Sequence, residues 1–400
     1  MGAFLFWGGV LTLVYQYVGY PLLLSLLARL RPDVERGSYA SDDELPSVTL
    51  IISAYNEEEV LDRKLENAVA LDYPKERLEI VVVSDGSTDR TTEIAESFAD
   101  RGVVLHEYTE NRGKNLALNE SMPRVRGDIT VFTDANGMYE PDAMKKLVQP
   151  FADATVGSVC GELVYRNFNE NAIAEGYNRY WELDQMQKRL ESDLGTLLGA
   201  NGSIFGVRTT LCRPIPNDTC NDMVQPIWVG AAGHKCLYEP GALSIEAGSK
   251  DLDDELKRRS RIIGRGIRGI LAVWPDIVRG RAKLLGLELL SRKGLRYLTP
   301  VWFLMIFIGS GLATGLGLFY QLAFAAQVLA YGAIPVAQLL PEGRLQRLVS
   351  PAVYFGIANL AATMGWWKVL TGSELGRWNT ADRPFETGSD VAPSASDGSD

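Results

Sequence analysis

The sequence predicts an α/β domain with a mostly parallel, Rossmann-like sheet, joined to transmembrane α-helices. Two stretches carry the first half of that expectation. SVTLIISAYNEEEVLDRKL at 47–65 and VVVSDGSTDRTTEIA at 81–95 each run from an apolar strand through a polar turn into a helix. Successive strand–turn–helix units build a parallel sheet, because each crossover helix returns the chain to start the next strand in the same direction. Polar side chains at the carboxyl ends of such strands stand where open α/β sheets bind ligands. The second half rests on residues 3–28, which hold no charge; roughly 20 apolar residues are enough to span a bilayer.

The elements follow in order. A polar linker, 31–46, leads into strand 47–53, helix 57–70, strand 79–84, helix 88–99 and strand 103–107. Then come a helix near 113–123, strand 129–133, helix 141–153, strand 157–165 and a charged helical stretch at 171–193. Residues 194–211 read as a loop, strand and turn, 221–232 as a helix and 234–245 as extended chain. A basic helix is expected over 251–270 and an amphipathic one over 274–293. Ile262, Ile263, Ile267, Ile270 and Leu271 recur at helical spacing, so these helices are expected to lie on a membrane surface, with ordinary globular packing as the alternative. The domain plan is a span at 1–30, an α/β domain at 47–250, interface helices at 251–296, membrane helices at 297–371 and a polar acidic tail at 372–400.

Two further apolar blocks, Pro300–Pro341 with room for two spans and Ser350–Leu370 with one, bring the expected spans to four. A signal peptide is the other reading of the first. Its run is long for one, no small-residue cleavage site follows, and its basic residues come after it. Lysine and arginine gather at 257–296, beside the second apolar block. Positive charge next to a span marks the cytoplasmic side, so 31–295 is expected in the cytosol under a cell (inner) membrane. The net charge of −10 argues against a nucleic-acid surface. Four cysteines without a CxxC pair read as reduced, structural thiols, and two histidines are too few for a His-rich metal site. His106 reads as a strand-end residue.

Six short motifs carry chemistry. Ala54-Tyr55-Asn56-Glu57 offers an aromatic face and a carboxylate acceptor for hydroxyls, although Asn56 also suits a helix cap. Ser84-Asp85-Gly86-Ser87-Thr88-Asp89 repeats that turn, with Asp89 suited to the first turn of a helix. Asn111 to Asn119 pairs a turning Gly113 with Lys114, whose cation can face a diphosphate. Phe132-Thr133-Asp134-Ala135-Asn136 ends a strand on an acid. Asn221-Asp222 begins a helix, and Arg258-Arg259-Ser260-Arg261-Ile262 lies in the basic run.

Together these motifs resemble the membrane-anchored glycosyltransferases of family 2, which share a GT-A catalytic fold with cellulose, hyaluronan and poly-N-acetylglucosamine synthases. The resemblance covers about 45–270 by motif and the flanking spans by layout. It implies that Ala54, Tyr55, Glu57 and Asp85 hold the nucleoside of a donor, and that Lys114, Asp134, Arg258 and Arg261 meet its phosphates. It implies that Asp134, with Asn136 where the family has a second acid, holds Mg²⁺ or Mn²⁺. An amide can ligate either ion but brings no charge. Asp222 matches the catalytic base, while Asn221 departs from an acid. Asn201 and Gly202, in Gly199-Ala200-Asn201-Gly202, match a small-residue loop at the acceptor site. Ile262 replaces a tryptophan that helps to bind the acceptor sugar.

The implied reaction is inverting transfer from a nucleotide-sugar, UDP-linked, to a lipid-linked or polysaccharide acceptor beside a lipid bilayer. A processive synthase, a GT-A-like nucleotidyltransferase and a catalytically weakened glycan-binding subunit are the alternatives. Trp378 and Arg383 faintly echo a C-terminal gating segment, which has to be cytosolic. Four spans from an outside N-terminus would put it outside, so one span is expected to be interfacial or re-entrant.

Overall fold

The computed structural model describes residues 1–30, 34, 36–166, 172–247, 252–280, 283–337 and 344–377. An N-terminal helical rod, α1 (Gly2–Val14), a π-turn (Tyr15–Gly19) and α2 (Tyr20–Leu30), precedes the α/β domain. The domain opens with β1 (Val48–Ala54), α3 (Leu61–Val69), β2 (Leu78–Asp85), α4 (Thr91–Ser97), β3 (Val103–Tyr108), α5 (Lys114–Ser121) and β4 (Ile129–Asp134). It continues through β5 (Met138–Tyr139), α6 (Ala143–Val148), β6 (Val156–Arg166), α7 (Ala172–Asp193), β7 (Phe205–Arg208), α8 (Asn221–Ala231) and β8 (Lys235–Ala247). Then follow α9 (Leu252–Arg279), α10 (Lys283–Leu289), a second π-turn (Leu290–Gly294), α11 (Leu295–Tyr297), α12 (Thr299–Leu312), α13 (Leu318–Ala337) and α14 (Arg344–Leu370).

The eight strands form one mixed sheet in the order β3-β2-β1-β4-β7-β6-β8-β5. The β3-β2-β1-β4 half is parallel throughout, as expected. Beyond it the sheet is mixed but still mostly parallel, as expected: β7 enters antiparallel to both β4 and β6, β6 and β8 pair in parallel, and β5 caps the far edge antiparallel to β8. β1 is buried along its whole length, which is why its seven residues carry no polar–apolar alternation. Apolar clusters cover both faces. One, beneath α3 and α6, includes Leu50, Ile52, Leu65 and Leu147. The other, beneath α8 and α9, includes Ile51, Phe132, Val224 and Ile277. His106 is placed inside β3, buried and paired with Val83, rather than at a strand end. All four cysteines are free.

The break expected between helices at 251–270 and 274–293 is absent, because α9 runs on through Pro275 to Arg279; the remainder of the second expected helix is α10 and the second π-turn. The expected four spans are met only in part. Among the described residues, one helix, Gly2–Leu30, is long and apolar enough to cross a membrane. A second counts only if Leu284–Tyr297 and Thr299–Leu312, which meet at 61°, form one bent span. α14, the expected last span, packs along α9 and α7. α1 and α12 meet at a seam of small residues: a Cβ on Gly309 would lie 2.4 Å from the Phe6 nitrogen, and one on Gly9 2.7 Å from the Trp302 carbonyl. Such close backbone approach is how helices associate in lipid. Beyond α14, residues 371–377 turn back onto the α/β domain, where the Ser373 carbonyl accepts from Arg268 at 3.1 Å. Gly376 lies close to Gly113 and Asn217 of that domain; Trp378 and Arg383, expected in a gating segment, and the rest of the tail lie outside the described residues.

Candidate active site

The first two turns are stitched to one another. Asn56 sits at a left-handed φ of 52°, where its side-chain oxygen accepts from the Thr88 amide at 2.8 Å. The Glu57 amide donates to Thr91 Oγ1 at 2.8 Å, and the Glu58 amide to Asp89 at 3.1 Å. Asn56 is thus a cross-link between turns and not the helix cap that its position suggested, whereas Asp89 does accept from Thr91 N two residues on, at 3.0 Å. Tyr55 and Glu57 stay partly exposed on this ridge.

Asp85 is buried at the end of β2, and its two oxygens accept from the Arg112 and Gly113 amides at 3.2 and 2.8 Å. It therefore anchors the 111–114 loop from below, a role its motif did not reveal. Gly113 has a φ of 107°, and a Cβ there would sit 2.4 Å from the Gly376 carbonyl. Only glycine tolerates both conditions.

The anchored loop aims Lys114 at the end of β4, where its amino group is bonded to Asp134. Across from them lies Gly202. A Cβ on this residue would stand 3.6 Å from Asp134 Oδ2 and 3.5 Å from Asp222 Oδ2, so the two carboxylates face one another across a side-chain-free position. The Ala200 amide donates to the Asp222 carbonyl at 2.7 Å, tying that loop to the start of α8. Asn201, expected at the acceptor site, turns its side chain inward. Its Nδ2 donates to the Gly161 carbonyl at 2.7 Å, its Oδ1 accepts from Lys188, and the side chain is buried. Asn201 holds the loop, and Gly202 is the residue that faces the gap.

Burial pushes the Asp222 carboxyl above its ordinary range, and Asp134 pushes it the same way. Lys114, Lys293 and Arg265 pull it back. The last two were not singled out from sequence. Arg265 lies one helical turn beyond Arg261 and donates through Nε to the Thr219 carbonyl at 2.9 Å. Lys293 comes from the second π-turn, its Nζ 4.0 Å from where a Gly199 Cβ would be. Both were visible as charges in the basic run, but their direction was not. Arg261 acts on neighbouring Cys220 and on Lys368. Arg258 lies a turn before it, so Arg265 is the α9 guanidinium that acts most on Asp222.

Among the described residues no three His, Cys, Asp or Glu side chains gather as a metal cage. A cation shared with a diphosphate needs only one or two protein oxygens. Asp134, whose Oδ2 faces the gap, and Asn136, half-buried in the same turn, fit that sparser demand.

The family model described as Glycosyl transferase family 2 matches residues 49–215. Poly-beta-1,6-N-acetyl-D-glucosamine synthase of Staphylococcus aureus (strain COL) is 27% identical over 268 residues, covering 64% of this chain and 63% of that protein. Beta-monoglucosyldiacylglycerol synthase of Synechocystis sp. is 29% identical over 213 residues, covering 48% of this chain and 44% of that protein. The chain therefore spans less than two thirds of the length of these curated relatives. Mannosyltransferase PcManGT from Pyrobaculum calidifontis, solved with GDP-Man and Mn²⁺, superposes with a TM-score of 0.67 at 24% identity, covering 92% of this chain and all of that one. That likeness shows the shared fold.

Proposed function

From the premise that this chain carries a glycosyl transferase family 2 domain, we propose that it is a membrane-associated, inverting glycosyltransferase. It takes a sugar from a nucleotide donor, UDP-linked, and passes it to a lipid-linked or polysaccharide acceptor at the cytosolic face. The observation that carries this reading is the pair Asp134 and Asp222 facing one another across Gly202, with burial holding the Asp222 carboxyl up. A sugar hydroxyl is a poor nucleophile until its proton is taken in the transition state, and a carboxylate of raised basicity takes it better.

The ridge of Ala54, Tyr55 and Glu57 receives the nucleoside, and the loop held by Asp85 brings Lys114 to the diphosphate. Asp222 accepts the proton of the acceptor hydroxyl. The oxygen attacks the anomeric carbon as the bond to the diphosphate breaks, and the attack from the opposite side inverts that centre. Lys114, Arg265 and Lys293 offset charge on the departing phosphates; fixed cations there act without reorganising. Mg²⁺ or Mn²⁺, held by Asp134 with Asn136 beside it, would neutralise more of that charge. Arg258 and Arg261 line the same basic helix and complete the cationic approach.

The N-terminal rod and the α1–α12 seam support anchoring in a bilayer. Ile262, where the family has tryptophan, is 44% exposed, which favours transfer of one or a few sugars over a long polymer. The test supplies radiolabelled UDP- and GDP-sugars to membranes holding the chain and sizes the product. A sized product from wild type, absent with Asp222→Asn, is expected. Equal product from both would overturn the role of Asp222.

A further inference from the structure

Lys64 is fully buried, at 0% exposure, on α3 immediately after the nucleoside turn. Lysine is almost never fully buried unless paired, because removing an ammonium from water is costly. Among the described residues no carboxylate reaches it at ion-pair distance. It is satisfied otherwise. Its Nζ donates to Thr133 Oγ1 at 3.2 Å and to the Gly137 carbonyl, and stands 4.2 Å from the centre of the Tyr139 ring. Thr133 and Gly137 bracket the turn that carries Asp134 and Asn136, which the Gly137 amide closes onto the Asp134 carbonyl at 3.3 Å.

The same partners extend the link to the opposite wall. Thr133 Oγ1 donates to the Ser203 carbonyl at 2.7 Å, and Tyr139 Oη donates to that carbonyl at 2.9 Å. Ser203 follows Gly202, the position at which the two carboxylates face each other. One amino group therefore joins the helix behind the nucleoside ridge, both ends of the Asp134 turn and the loop beside Asp222.

We propose that Lys64 is a positioning residue for transfer: it fixes the Asp134 turn against the Asn201–Ser203 loop and so sets how donor phosphates and acceptor are held relative to one another. Without the Lys64 amino group, the Gly137 carbonyl has no other donor among the described residues and the turn is free to shift. A displacement of about 1 Å at such a site is enough to lose on the order of 100-fold in rate. The inference rests on the donor-site reading above.

The test compares wild type, Lys64→Met and, as a second route to the same link, Thr133→Val, all as full chain in lipid nanodiscs. It measures binding of UDP and GDP with Mn²⁺ by calorimetry, the melting temperature without ligand, and kcat and KM. The expected result is roughly 10-fold weaker nucleotide–Mn²⁺ binding in Lys64→Met, with a melting temperature close to wild type and a partial loss in Thr133→Val. Leu147→Ala, a core control remote from the gap, is expected to melt lower yet bind nucleotide as wild type does. If Lys64→Met binds as wild type does, or if its loss is matched by that control, the inference is overturned. If Lys64→Met does not fold, Thr133→Val decides alone: unchanged binding overturns the inference, and weakened binding supports it. Wild type that binds neither nucleotide would overturn the donor reading itself.

Discussion

The two halves of the site are built in different ways. The proposed nucleoside half, from β1 to α5, is stitched by short-range logic: each strand ends in a turn, and side chains of one turn accept from backbone amides of the neighbouring turn. The transfer half draws Asp222 from α8, Gly202 from the loop before β7, Arg265 from α9 and Lys293 from the second π-turn. One half repeats a local pattern along a parallel sheet. The other converges from segments far apart in the chain, across the place where the sheet turns antiparallel. Donor binding and transfer should therefore fail separately under mutation.

The widest separation is expected from Asp222→Asn. It should lower kcat by about 10³-fold, within the range of a lost general base, and leave nucleotide affinity within about twofold by calorimetry. It should also raise the melting temperature, because the buried carboxylate is held in an environment that disfavours its charge. The pH dependence follows the same sign. The folded carboxyl lies above its unfolded value, so the contribution of Asp222 to stability is complete below about pH 3.8 and lost as pH rises through the raised value. Thermal melts of wild type against Asp222→Asn across acid pH check that window.

Asp85→Ala should do the reverse. Two amides lose their acceptor, at about 1–3 kcal/mol each for a buried group, so the melting temperature falls and nucleotide affinity drops about 10–100-fold. A smaller effect is expected from Gly202→Ala. The added methyl meets both carboxylates at ordinary contact distance, so the fold survives, but it fills the gap between them. A loss of about 10-fold in kcat with unchanged melting would place the reacting groups at Gly202. The smallest shift is predicted for Arg265→Gln. Removing a cation that pulls Asp222 down should move the acid limb of the kcat/KM profile to higher pH by a fraction of a unit. A limb that moves to lower pH would contradict the assignment.

The same contrast explains what was legible in the sequence. Strands β1 to β4 were found to within a residue because apolar runs ending in polar turns are a local signal. Helices α3 and α4 start later than expected, since residues 57–60 and 88–90 are spent linking turns. Asp134 and Asp222 were identifiable by motif, and the structure brings them together. Sequence could not show that Asn201 turns inward, because that depends on Lys188 and Gly161. Nor could it show that β7 threads antiparallel between β4 and β6, since strand pairing across such separations leaves no periodicity. Nor could it show that α9 continues past 270 and through Pro275, which cannot donate within a helix; packing against α8 and α14 supports the continuous helix.

The contact between Gly113 and Gly376 also sets an order of events during synthesis. A ribosome that has made the phosphate-facing loop still has roughly 260 residues to add before its covering segment exists. At ordinary elongation rates that is a delay on the order of tens of seconds. Throughout it the loop waits uncovered while every later helix is made. The proposed donor site is thus completed by almost the last described part of the chain, so a nascent protein stalled before α14 would hold an assembled sheet with that loop still uncovered.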